Sequence, residues 1–348
     1  MKKLLALFLA LTMIFALCAC GQQAAPAQEA PAAADTAPAA DAASGETYTL
    51  ILSHIQSTST TWHKAFEYLA DYCKEKSDGR LIIEIHPNSE LGTEMEVVQN
   101  VITGGGIDIC TSGESLSAYV EEIGAMSIPY AITSNEHAQA VLNSDIGAEW
   151  AEALTAQNLM PLAAFIRGAR DITSNKEIHS VSDMKGLIIR TPDTAYTVAA
   201  FQATGAKPTV IAFNELLTAL QQGTADAQEN PLATIYQNSF YEAQKYLILS
   251  DHLRTWMYVL INPNSYNALP ADLQAILTEG CKEMQDYEHE LFLAEEAELL
   301  GMLEDAGMTV IEVDQNEFKE VLQSGVMPIL TEKEVETLER IKAVDPNA

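Results

Sequence analysis

The sequence predicts an α/β protein of two lobes flanking a hinge cleft, with one long helix bracing both lobes. Three observations carry this expectation. Beyond residue 46 short apolar strands alternate with amphipathic helices, the pattern of a largely parallel sheet with covering helices. The alternation comes in two blocks, one from Tyr48 and one from near Pro161. Between residues 270 and 305 a helical apolar pattern runs on through Leu273, Ile276, Leu277, Met284, Leu291, Leu299 and Leu303; at 1.5 Å per residue that is roughly 50 Å, longer than either block is wide. The open alternative is two helices broken at Gly280 or Gly301, because one glycine costs a helix only about 1 kcal/mol.

In chain order, Lys2 and Lys3, an apolar run from Leu4 to Leu17 and the close Leu17-Cys18-Ala19-Cys20 make residues 1–19 a secretory signal. The run is too short to span a bilayer. Small residues before Cys20 resemble a lipobox, which makes Cys20 a lipidated N-terminus and predicts anchoring to the outer face of the cell membrane. Residues 20–46, almost only Ala, Pro, Gln, Asp, Gly, Ser and Thr after the cysteine, cannot bury enough apolar surface to fold and read as a tether.

The folded remainder then starts. Tyr48 to Ser53 alternates as a strand does, and residues 61–77 place Trp62, Ala65, Phe66, Leu69, Ala70 and Cys73 on one helical stripe, stopped by Gly79. Residues 80–86 form a strand. Thr93 and Glu96 form a capping box for a helix carrying Val97, Val98, Val101 and Ile102, and the glycines 104 to 106 lead into a strand at 107–111. The second block reads as a strand at 162–167, a short helix at 182–185, a strand at 187–191, a helix at 195–204, a strand at 209–213, a helix at 215–222 and a strand at 225–228. A last strand at 256–261 precedes the long helix. The expected lobes are 47–167 with 256–295, and 168–255 with 296–348.

Composition excludes several classes. A formal charge of −30 and a pI near 4.4 oppose nucleic-acid binding and polybasic membrane contact. Setting aside Cys18 and Cys20, the odd set Cys73, Cys110 and Cys281 cannot form a complete disulfide framework, and each lies in an apolar pattern that favours a buried thiol. No GxSxG, HExxH, P-loop or post-strand GxGxxG is present, and the seven histidines lack metal-ligand spacing. No catalysis, cofactor or metal is expected.

Six arginines stand against thirteen lysines, and Arg167, Arg170 and Arg190 all fall early in the second block. Arg190 closes the strand at 187–191, Asn230 follows the strand at 225–228, and ligands of open α/β sheets collect at such carboxyl ends. A guanidinium fork takes a carboxylate through two parallel hydrogen bonds, which lysine cannot match. Two arginines and an amide therefore read either as a carboxylate clamp or as ordinary ion pairs with the abundant Asp and Glu.

The runs Gly168-Ala169-Arg170-Asp171-Ile172-Thr173-Ser174-Asn175, Asp183-Met184-Lys185-Gly186-Leu187 to Pro192, and Ala219-Leu220-Gln221-Gln222-Gly223 to Gln228-Glu229-Asn230-Pro231, in that order, resemble the solute-binding subunit of TRAP transporters. The resemblance implies a periplasmic-binding-protein-like fold and a monomer that hands a small carboxylate to the small and large TRAP membrane subunits. It implies that Arg190 is the principal carboxylate ligand, that Arg170 joins it, that Asn230 lies beside them and that Phe213 lines the cleft. From the first block it implies His54 and Glu114, with Glu114 accepting hydroxyls of a sugar acid in preference to a plain dicarboxylate. A ligand that touches both lobes stabilises the closed form, and only that difference drives closure. Three other readings stay open at this point: a receptor for an ABC importer, a sensor for a membrane kinase, and an exported organic-acid enzyme using Glu114 and His54.

Overall fold

In a computed structural model of the chain, residues 45–347 are described. The expected signal, Cys20 and nearly all of the expected tether lie outside the described residues.

The first block follows its apolar periodicity. β1 (Tyr48–Ser53) and β2 (Leu81–His86) lie parallel, joined by α1 (Thr61–Lys76), and α2 (Glu94–Thr103) leads to β3 (Ile109–Ser112), parallel to β1 on its other edge. The capping box of α2 is present: Thr93 Oγ1 accepts the Glu96 N–H while the Glu96 carboxylate accepts the Thr93 N–H. β3 begins two residues later than expected because the Asp108 carboxylate takes the Ile51 N–H at 2.8 Å, replacing a rung of the ladder with a side chain. Two 3-10 turns, Glu114–Ala118 and Glu121–Ser127, then α3 (Asn135–Leu142) and α4 (Asp145–Ala156) follow, none of them expected.

The second block contains β4 (Met160–Ser174), β5 (Ile188–Thr191), α5 (Ala195–Ala203), β6 (Lys207–Val210), α6 (Leu216–Gln221), β7 (Ala227–Pro231), α7 (Leu232–Gln237) and β8 (Tyr246–Ile261). The chain closes with α8 (Pro263–Ala268), α9 (Ala271–Asp305), β9 (Thr309–Glu312), α10 (Gln315–Val326) and α11 (Glu332–Ala343). The strand expected at 209–213 is corrected. β6 ends at Val210 because its partner β5 ends opposite it at Thr191, and Phe213 instead opens a 3-10 turn.

Nine strands form one sheet among the described residues, ordered β2-β1-β3-β8-β4-β7-β5-β6, with β9 on β8. β4 and β8 are more than twice the lengths expected, and they join the two lobes. Residues 160–166 of β4 pair with 256–261 of β8 beside β3; residues 169–174 pair with 246–254 beside β7. The register shifts between Ile166 and Ala169. There Gly168 sits at φ +73°, and a Cβ on it would lie 2.7 Å from Glu296 Oε1, so the bend needs a residue without a side chain.

α9 is unbroken over 35 residues and does brace both lobes. Leu273, Leu277, Cys281 and Met284 join the core under β1 to β3; Phe292 joins the next cluster, and Leu303 packs with Leu216 and Leu220 of the second lobe. Gly280 is not a break, because a Cβ there would meet Tyr72 Cδ1 at 2.8 Å and Leu69 Cδ1 at 3.1 Å; it lets α1 and α9 approach. α10 lies on α5, whereas α11 turns back onto α4 and the 121–127 turn. Cys73, Cys110 and Cys281 are buried free thiols. No helix among the described residues is long and apolar enough to cross a membrane.

Candidate functional site

The start of α2, the turn after β3 and the carboxyl ends of β5 and β6 enclose a cavity of about 190 Å³ between the lobes. That lies below the range of about 300–1,000 Å³ typical of drug-sized ligands and suits a small solute. Its walls include Glu94 and Ser115 from the first lobe and Arg190, Pro192 and Phe213 from the second. A wider groove of about 430 Å³ between α4 and α11 has Glu149 and Lys333 on its walls, both exposed and each in a surface ion pair.

Arg190 is placed by β5, which pairs with β7 on one side and β6 on the other. It is only 4 % exposed. Its Nε donates to the Ile211 carbonyl at 2.9 Å, and among the described residues its terminal nitrogens have no hydrogen-bond partner and no carboxylate within ion-pair distance. Burial lowers its pKa to about 10; Glu229 and Glu94 oppose that fall while Arg170 and Arg167 add to it. A guanidinium in this state can gain two hydrogen bonds and a counter-charge from an incoming anion.

Arg170 lies within β4 and is already engaged. Its Nε and Nη2 reach the Glu229 carboxylate at 2.5 and 2.8 Å, Nη2 donates to the Asn230 side-chain oxygen at 3.3 Å, and Nη1 stands 3.6 Å from Glu114. Burial would lower its pKa, but Glu229 and Glu114 outweigh burial and hold it above the usual value. Burial likewise pushes Glu229 up, and Arg170 and His252 overcome it to give a pKa of about 2. Asn230 is held between Arg170 and Gln228, donating to the Gln228 oxygen at 2.5 Å.

Glu114 follows β3 and is buried. It accepts Arg167 Nη1 at 3.1 and 3.2 Å and Thr255 Oγ1 at 2.8 Å; burial raises its pKa, and Arg167 and Arg170 bring it below the usual carboxylate range. His54, at the end of β1, faces His63 at 3.1 Å and packs on Phe66. Burial and then His63 lower its pKa to about 3, so it is neutral at pH 7. Phe213 is half-buried, edge-on to Phe240. Among the described residues no group of His, Cys, Asp and Glu is placed to hold a metal ion.

The structure adds residues that sequence reasoning did not select. Arg167 pairs with Glu114 and lies over the Trp62 ring at 5.9 Å. Glu229 is the counter-ion of Arg170. Glu94, first residue of α2, enters the cleft with its Oε1 accepting from Ser112 Oγ at 2.5 Å, and burial raises its pKa. The signal for Glu94 was available: it stands in the first turn of a helix with a capping box, where an acid also meets the helix dipole.

Two α/β lobes on shared strands, a brace helix and a small cleft built around a buried cation define a solute-binding protein of the two-lobed extracytoplasmic type. Comparisons with known proteins agree. The profile of DctP, bacterial extracellular solute-binding protein family 7, matches residues 52–333, and the chain belongs to that family. It is 34 % identical over 296 residues to a solute-binding protein of Roseobacter denitrificans, covering 85 % of this chain and 91 % of that one. It is 29 % identical over 286 residues to the 2,3-diketo-L-gulonate-binding periplasmic protein YiaO of Escherichia coli, covering 81 % and 87 %. A crystal structure of a TRAP periplasmic solute-binding protein from Roseobacter denitrificans with bound L-galactonate superposes with a TM-score of 0.83 at 33 % identity, covering 86 % of this chain and all of that one.

Proposed function

We propose that this chain is the receptor of a TRAP transporter that captures a small organic or sugar acid on Arg190, closes over it, and delivers it to the small and large membrane subunits. The observation that carries the reading is the Arg190 guanidinium, buried at a cleft wall with no carboxylate within ion-pair distance among the described residues. A buried cation without a partner is costly, and an anionic ligand removes that cost. Arg170 and Asn230 hold the floor beside it, and Phe213 gives an apolar face against which carbon atoms of the solute pack. Glu114, which also holds Arg167 and Arg170 in place, and His54 contribute polar groups from the first lobe. The acids named for relatives, L-galactonate and 2,3-diketo-L-gulonate, support an acid as ligand here.

In this reading the lobes are 47–167 with 256–295 and 168–255 with 296–348, with α11 reaching back to the first. The protein is a monomer, anchored by lipid on Cys20, and does no catalysis. Calorimetry against aldonates, uronates and short organic acids is expected to find an acid that wild type binds and that Arg190→Ala binds more weakly by roughly 2 to 5 kcal/mol. Equal affinity of the two for the same acid overturns the role of Arg190. Labelling with radioactive palmitate tests the anchor, and incorporation surviving Cys20→Ala refutes it.

A further inference from the structure

Outside the cavity the lobes meet a second time, along a polar seam made by residues that do not line that cavity. The first lobe brings the loop between β1 and α1, and the second brings the end of α7. A helix leaves its last carbonyls without partners of its own, and that of Gln237 accepts from Ser59 Oγ at 3.2 Å and from Ser57 Oγ at 3.4 Å. Asn238, which closes α7, donates its amide to the Thr234 carbonyl at 3.0 Å and across the seam to the Gln56 side-chain oxygen at 3.0 Å. The Gln237 side chain donates to Glu295 of α9, which pairs with Lys64 of α1 at 3.8 Å. Behind these contacts a crevice of about 20 Å³, with Gln56 and Gln237 on its walls, has room for a single water, so the seam is shielded on its inner side.

β4, β8 and α9 run through both lobes and stay joined at any angle between them. The seam has no such continuity, and a hydrogen bond of about 3 Å is lost when its groups part by about 1 Å more. Both lobes wall the cavity in this conformation, so the seam belongs to the closed form. We propose that Gln56, Ser57 and Ser59 on one lobe and Gln237 and Asn238 on the other are a latch that sets affinity by favouring closure, without touching the solute. The inference rests on the proposed closure over an acid and adds affinity-setting residues beyond the cavity. Apparent affinity scales with the population of the binding-competent form, so bonds made in that form alone raise it by one factor for every solute. Each bond replaces one to water and has a small net effect; together they amount to about tenfold.

The test is Ser57→Ala with Ser59→Ala, and the same pair with Asn238→Ala added, titrated calorimetrically with L-galactonate, D-erythronate and a wider panel of acids. For the two tightest binders the serine pair is expected to weaken affinity about fivefold and the triple variant about tenfold, by equal factors for both acids. Dissociation speeds up while association is unchanged, and the melting temperature of the ligand-free serine pair matches wild type, because the open form lacks these bonds. A loss under about threefold in the triple variant, or one that differs about tenfold between the two acids, overturns the latch while acid capture stands. A ligand-free serine pair that melts well below wild type also overturns it, since the contacts then support the fold in both forms. If no acid binds wild type, closure over an acid fails and the latch falls with it.

Discussion

In the proposed role, Arg190 serves binding at the expense of folding. Burial desolvates its charge, and Glu229 and Glu94 offset that only in part, so its pKa falls to about 10. Arg190→Met is therefore expected to abolish acid binding while leaving the melting temperature of the ligand-free protein unchanged or higher, the trade expected at a strained site. Glu114→Gln should behave oppositely: it leaves Arg167 buried without its counter-ion and costs roughly 3 to 5 kcal/mol of stability, read by urea denaturation. This contrast also explains what the sequence disclosed. Arg190 was legible because arginine is scarce here and stood at a strand end. Glu94 and Glu229 were hidden among 49 acidic residues, and which carboxylate matches which cation is set by long-range pairing of β3, β4 and β7 that no local spacing encodes.

Among the elements, the two-block alternation and the long helix were legible because amphipathic periodicity reports one buried face. β4 and β8 were read short because both their faces are covered along most of their length, which removes the alternation that marks a strand. α9 yields two expectations. Gly280→Ala improves helix propensity by about 1 kcal/mol but drives a methyl into Tyr72 and Leu69, so a net loss of about 1 kcal/mol is expected on overpacking grounds, measured by chemical denaturation. Glu288, in the middle of α9, is buried with Thr61 Oγ1 donating to it at 3.0 Å, and burial raises its pKa to about 8. A carboxyl whose folded pKa is raised contributes stability that is complete below its unfolded value near 4.5 and is lost as pH rises through about 8. Glu288→Gln should therefore melt above wild type at pH 8.5, with the gap closing towards pH 4.5; parallel melting curves across that window would refute this.

At the scale of the whole molecule, the formal charge of −30 opposes an approaching anion, while the cation proposed to bind it acts only at close range. Screening shortens the repulsion to about 8 Å at physiological salt, so association with the acid should speed up as ionic strength rises from 10 to about 150 mM, followed by stopped-flow tryptophan fluorescence. A rate that falls with salt would mean that the cleft itself steers the ligand. The lobes are also tied more closely than two blocks of sequence suggest. β4 and β8 pass from one to the other without leaving the sheet, and one core cluster includes residues from both, so a single calorimetric unfolding transition is expected for the described part. These two strands make the joint an elastic ribbon in place of a slack cord. If the lobes open and close as proposed, such a leaf spring would bring the jaws back to the same alignment each time.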